Sequence, residues 1–330
     1  MAVTMEDIKK LRAMTGAGLA DVKKALTEAD GDMERAKQIL REKGQAIAAK
    51  RSDRETSNGC VLVKVSEDFG AIIALKCETD FVAMNADFVA LTQDIINAAV
   101  AAKAKSLDEV NALTLADGMT VADAVKERSG VTGEKMELDG YNFIEGQNIE
   151  SYDHMGRHGL CVLVQTNKPA AEQGHAVTMQ VAAMNPVALD EASVPESVKE
   201  AEYQVAIQKT KEEQCEKAVQ AALKKAGFNL YICENEEHIN EGIMKNMITE
   251  AQADEIRKIK KEVAEQKLAN LPEQMILNIA NGRMNKFYKE SCLLNQEFIQ
   301  DTKMTVNEYL KAADKELTIV DFKRFTLRAE

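Results

Sequence analysis

An α+β fold with helix in the majority is predicted for this chain, on three observations. Only 4 Pro occur in 330 residues, and long stretches carry neither Pro nor Gly, so helices can run without interruption. Two segments, Ala71–Cys77 and Leu160–Val164, are near-continuous apolar runs of strand length, each preceded by other strand-like sequence. Residues 1–45 hold three short segments that are apolar on one side only, the pattern of a small helical bundle.

Taken in order, Thr4-Met5-Glu6-Asp7 has the form of a capping box opening the first helix. Ile8 and Leu11 share its inner face, and Thr15-Gly16-Ala17-Gly18 stops it. A second helix carries Leu19, Val22 and Leu26 and stops at Asp30-Gly31. A third begins at Asp32, carries Met33, Ala36, Ile39 and Leu40, and is expected to end at Gly44. Residues 46–58 read as a linker, helical in part, with a basic cluster at Lys50, Arg51 and Arg54. From Gly59 the period changes. Cys60–Val65, a turn around Glu67-Asp68-Phe69-Gly70 and the run to Cys77 predict a β-hairpin. An Ala-rich helix from Asn85 to Ala104 turns Phe88, Leu91, Ile95 and Ile96 inward. Thr120 caps a helix over Val121–Arg128, and Ser129-Gly130-Val131-Thr132-Gly133 is expected to be a flexible break.

Residues Met136 to Tyr152 alternate as strands, and a turn over Tyr152–Gly159 leads into the run at 160–164. A helix spans residues 171–184. Hairpin-then-helix therefore occurs twice, near 59–104 and near 141–184, which predicts two α+β subdomains with antiparallel sheets. Pro195 opens a long charged helical region, broken at Gly227–Cys233, that predicts an antiparallel helical hairpin inserted in the second subdomain. Leu317–Leu327 reads as a terminal strand returning to a sheet. The expected divisions are a three-helix domain (1–45), a linker (46–58), a first core subdomain (59–140), a second (141–202 and 266–330) and a helical insertion (203–265).

Composition narrows the function. A formal net charge of −12 opposes direct nucleic-acid binding, which needs Lys and Arg against phosphates. Met1–Met14 lacks the apolar stretch of a secretory signal, and no run approaches the roughly 20 apolar residues of a membrane span. The 6 Cys are scattered with no C-x-x-C pair, which predicts reduced thiols and a cytoplasmic location. There is no phosphate loop of the G-x-x-x-x-G-K-[ST] form, no G-x-G-x-x-G and no G-x-S-x-G. His154 and His158 are flanked by Gly156 and Gly159 in a turn, which spoils helical metal-ligand geometry. His175 and His238 lack ligand neighbours in sequence. No cofactor, no metal and no enzymatic activity are expected, with a Cys-dependent hydrolase as one alternative.

Thr79-Asp80-Phe81-Val82 is the most informative segment. It follows a buried strand and precedes a helix start at Asn85-Ala86-Asp87, so an acid and a large ring stand together at a strand–helix turn. Phe81 either turns inward to plug its own core or enters a partner as a wedge with Asp80 beside it.

The segment Cys77-Glu78-Thr79-Asp80-Phe81-Val82-Ala83 resembles the hallmark of the bacterial elongation factor Ts family, the guanine-nucleotide exchange factors for elongation factor Tu. Leu11-Arg12-Ala13-Met14-Thr15-Gly16-Ala17-Gly18-Leu19 with Asp21–Leu26 resembles that family's opening, and Ser151-Tyr152-Asp153-His154 a third landmark. Ala20 stands where the family carries Met, and residues 203–265 are longer than its usual module. The resemblance implies a ubiquitin-associated-like N-terminal domain. It also implies a partner, elongation factor Tu, in a complex that admits a homodimer or a 2:2 assembly. By match, Phe81 would enter a slot between helices of the GTPase while Asp80 engages groups near its Mg²⁺. Arg12, Leu19 and Lys23 would dock on the same domain, with Arg51 near it. Gly133, beside Thr132, would approach the phosphate loop, and His154 would contact the partner from the second subdomain. A ubiquitin-like-recognition adapter, built on the three-helix module, is the other alternative.

Overall fold

The computed structural model describes residues 3–51 and 53–327, without the side chains of residues 45 and 47–49. The chain divides into two compact units, residues 1–189 with 297–330, and residues 190–296.

The first unit opens with α1 (Met5–Thr15), α2 (Leu19–Glu28) and α3 (Met33–Ala49). Thr4 and Asp7 form the predicted capping box, and Gly16 closes α1 in the left-handed region at φ 66°. Ile8, Leu11, Val22, Leu26 and Ala36 meet in the core of this bundle. Two boundaries differ from the sequence reading. Helix α3 continues through Gly44 to Ala49, and α7 (Val121–Thr132) runs through Ser129-Gly130-Val131-Thr132, which was expected to break. The two glycines explain each other: a Cβ on Gly130 would overlap the Gly44 Cα. A glycine costs a helix only about 1 kcal/mol, and here the loss of Cβ lets α3 and α7 pack backbone to backbone.

Strands β1 (Asn58–Ser66) and β2 (Phe69–Cys77) form the predicted hairpin, in register from Asn58 opposite Cys77 to Ser66 opposite Phe69. Helices α4 (Asp80–Ala83), α5 (Ala86–Ala102), α6 (Leu107–Ala112) and α7 follow. β3 (Met136–Glu145) then pairs antiparallel with β2 to complete a sheet of order β1-β2-β3. A second sheet is built from β4 (Ile149–Asp153) and β5 (Leu160–Thr166), with α8 (Ala171–Met184) packed on it. A small ribbon of β6 (Glu297–Phe298) and β7 (Asp301–Thr305) precedes α14 (Val306–Ala313). β8 (Ile319–Thr326) then lies antiparallel beside β5, giving the order β4-β5-β8.

The first sheet is covered on both faces, as the apolar run of β2 predicts. Phe69, Ala71, Ile73 and Leu75 face Phe88, Ile95 and Ile96 of α5. Ile72 and Ala74 face Ile149, Cys161 and Leu163 of the second sheet. The result is an α-β-β-α stack.

The second unit is helical. It holds α9 (Glu196–Lys225), α10 (Leu230–Cys233), α11 (Glu236–Met244), α12 (Glu250–Ala269) and α13 (Glu273–Ser291). Helix α9 packs on both α12 and α13. Val219, Leu223, Ile239, Ala253 and Ile256 form its interior, and Arg283 ties α13 to α9 through Glu213 at 2.7 Å. Among the described residues no helix is long and apolar enough to cross a membrane.

Candidate functional site

β2 ends in the buried Cys77, and the chain leaves the sheet through Glu78. Thr79 adopts an extended conformation and caps α4, its hydroxyl accepting the Val82 N–H at 3.4 Å. Six residues later Asn85 caps α5 in the same way, accepting the Asp87 N–H at 2.9 Å. Two successive caps leave a single helical turn projecting between them. In this turn Val82 and Ala83 pack against the core beneath the first sheet, while Phe81 is 80% exposed and Met84 70% exposed. Asp80 is exposed beside the ring. The sequence left open which way Phe81 points; the structure turns it outward because Val82 and Ala83 take the inward positions.

Two carboxylates border the turn. The Glu134 side chain accepts the Thr79 hydroxyl at 2.6 Å and the Thr79 N–H at 3.1 Å. Glu78 accepts the Lys135 N–H at 2.6 Å and the Arg54 guanidinium at 2.9 Å, with Arg51 at 3.6 Å. The Lys135 amide, followed by Arg54 and Arg51, holds the Glu78 carboxyl below its ordinary value against partial burial. Gly133 ends α7 at φ 73°, and Arg51 Nη2 lies 3.9 Å from where a Gly133 Cβ would stand.

The structure thus gathers Thr79, Asp80, Phe81, Val82, Arg51 and Gly133 in one region. The other candidates stand elsewhere on the first unit. Arg12 is exposed in the last turn of α1, and Leu19 (50% exposed) and Lys23 lie one turn apart on α2. His154 is half-buried at the start of a 3₁₀ turn after β4, with Nδ1 3.1 Å from the Tyr152 hydroxyl. It lines a surface cavity of about 490 Å³ together with Met155, Arg157 and Ile299. Sequence reasoning gave no weight to Met84, Glu78 or Glu134. The spacing of Met84 three residues after Phe81 puts both on one face of a helical turn and could have flagged it.

The cysteines bear on the hydrolase alternative. Burial pushes the Cys60 and Cys77 thiols up to about 12 and raises that of Cys161 as well. A nucleophilic thiol needs a shift in the other direction. Among the described residues, no three His, Cys, Asp or Glu gather where they could hold a metal ion.

Comparison with known proteins adds the following. The family model described as elongation factor TS matches residues 78–227 and 235–329. Elongation factor Ts of Bacteroides fragilis is 62% identical over the full length of both chains. Those of Phocaeicola vulgatus and Porphyromonas gingivalis are 61% and 41% identical, again over the full length of both chains. With the hallmark segment at the projecting turn and this likeness end to end, the chain belongs to the elongation factor Ts family and its role lies in translation elongation.

Proposed function

We propose that the chain is a guanine-nucleotide exchange factor that binds elongation factor Tu carrying GDP, disturbs its Mg²⁺ and phosphate contacts, and so promotes GDP release. The observation that carries this reading is the Phe81 ring, 80% exposed on a helical turn of four residues. Burying such a ring is worth about 2–3 kcal/mol, and this fold leaves that gain untaken. An apolar slot in a partner can take it. Asp80, exposed alongside, brings a carboxylate to the groups that hold the partner's Mg²⁺. Removing that ion strips charge compensation from the diphosphate, which then leaves faster. By linkage, the factor weakens GDP binding as much as GDP weakens the factor's binding.

Arg12, Leu19 and Lys23 supply a second contact on the GTPase. Gly133, with Arg51 beside it, faces the phosphate loop, and His154 contacts the partner from the second sheet. The chain itself performs no covalent step, needs no cofactor, binds no nucleic acid directly and works in the cytoplasm. Release of a fluorescent GDP analogue from elongation factor Tu, followed by stopped flow, tests the reading. The parent chain accelerates release strongly, and Phe81→Ala or Asp80→Ala slows it by about tenfold or more. A double variant as fast as the parent would remove the wedge from the mechanism.

A further inference from the structure

The four-residue helix α4 contains no fully buried residue, so packing alone does not hold it rigid. A wedge on a yielding arm bends instead of prying. What fixes the arm is a reciprocal arrangement between two loops. The side chain of Glu134 bonds the backbone and hydroxyl of Thr79, while the side chain of Glu78 bonds the backbone of Lys135. Each loop thus lends a carboxylate to the other's main chain.

Each carboxylate is itself anchored. Glu134 stands just past the left-handed cap of α7, its carbonyl accepting the Ser129 hydroxyl at 2.5 Å and its N–H donating to the Thr132 hydroxyl at 3.3 Å. Glu78 is fixed by Arg54 and Arg51, and Lys135 returns a bond from Nζ to the Arg54 carbonyl at 2.9 Å. Both Glu134 oxygens are engaged by Thr79, and charged acceptors make hydrogen bonds roughly twice as strong as neutral ones. The Thr79 hydroxyl is used twice, donating to Glu134 and accepting from Val82. The cap of α4 is therefore oriented by a residue 55 positions away in the chain.

We propose that Glu134 and Glu78 are positioning residues that lock the Phe81 turn to the Gly133 turn, so that both meet the partner as one rigid body. This rests on the exchange reading above and deepens it: neither carboxylate needs to touch the GTPase. The gain is preorganisation, since ordering the arm on binding would subtract from the work available to open the partner's site.

Two measurements on the full chain test the idea. The first is amide hydrogen exchange at Ala83 and Met84, whose N–H groups bond Thr79 and Asp80 carbonyls at 3.2 and 3.0 Å. Glu134→Ala speeds exchange there by about tenfold or more while leaving α5 protected, and Glu134→Gln, which keeps one acceptor, gives an intermediate rate. Unchanged protection in Glu134→Ala overturns the lock, whatever the chain's function. The second is a double-mutant cycle on nucleotide release. Glu134→Ala slows release about tenfold in the parent but clearly less in a Phe81→Ala background, because much of its effect passes through that ring. Equal losses in both backgrounds overturn the positioning role. Glu145→Ala, at an exposed Lys105 pair, is the control and changes neither reading. If Phe81→Ala alone leaves release untouched, the ring's part in the exchange reading fails, and the amide measurement still decides the lock on its own.

Discussion

Phe81 and Phe88 sit close in sequence and use their rings in opposite ways: 80% exposed in one case, 0% in the other. Stability and activity should therefore separate at these two positions. Phe81→Ala is expected to change unfolding free energy by no more than about 0.5 kcal/mol, while Phe88→Ala costs about 3–5 kcal/mol through the cavity it leaves under the first sheet. Urea titration of the two variants checks this, and a large loss for Phe81→Ala would mean that the ring serves its own core. The sequence turned Phe88 inward on helical periodicity, as found, but left the direction of Phe81 open. That choice is made by Val82 and Ala83, which fill the inward side of a turn too short to hide a third side chain. The Glu134–Thr79 bond was equally hidden, because partners 55 positions apart leave no periodic trace.

At the scale of elements, local signals were legible wherever the chemistry is local. The Thr4–Asp7 capping box, the hairpin of β1 and β2 and the bounds of α8 all follow from caps, turns and periodicity. The signals failed at Gly44 and Gly130, where the meaning of each glycine lies in the other. This gives a prediction of opposite signs. Gly130→Ala puts a methyl where the Gly44 backbone already is, and overpacking costs about 1–3 kcal/mol. Gly282 lies inside α13 with nothing within 4 Å of its would-be Cβ. Gly282→Ala should therefore gain about 0.5–1 kcal/mol from helix propensity alone. Hydrogen exchange in α3 and in α13 reads each change where it acts. A stabilised α3 in Gly130→Ala would mean that the crossing has room for a methyl group.

At the scale of the whole molecule, the sequence conveyed the α+β class and the paired hairpins. It did not convey that the two sheets lie face to face, since that depends on which side of β2 meets which strand. On its other face the first sheet buries Cys60 and Cys77 under α5, where burial raises both thiols from 9.0 to about 12. Tyr141, whose hydroxyl donates to the Ala104 carbonyl at 2.7 Å, rises from 10.0 to about 12 for the same reason. Each folded value lies above the unfolded one, so the stability is fully present below pH 9.0 and is lost as pH climbs toward about 12. Between about pH 8 and about pH 10.5 the loss should be on the order of 2 kcal/mol per thiol. Urea midpoints at the two pH values check it, and Cys60→Ala should flatten the dependence.

The order β4-β5-β8 carries a consequence for how the molecule is made. β5 is complete at Thr166, but its neighbour starts at Ile319, after the whole helical unit of residues 190–296. At ordinary speeds of synthesis, a nascent chain on the ribosome waits roughly ten seconds or more between the two. Throughout that interval one edge of an apolar strand stands without a partner strand, its amides held only by water and open to any stray strand nearby. A factor that serves the ribosome is thus most at risk of aggregation while it is still attached to one.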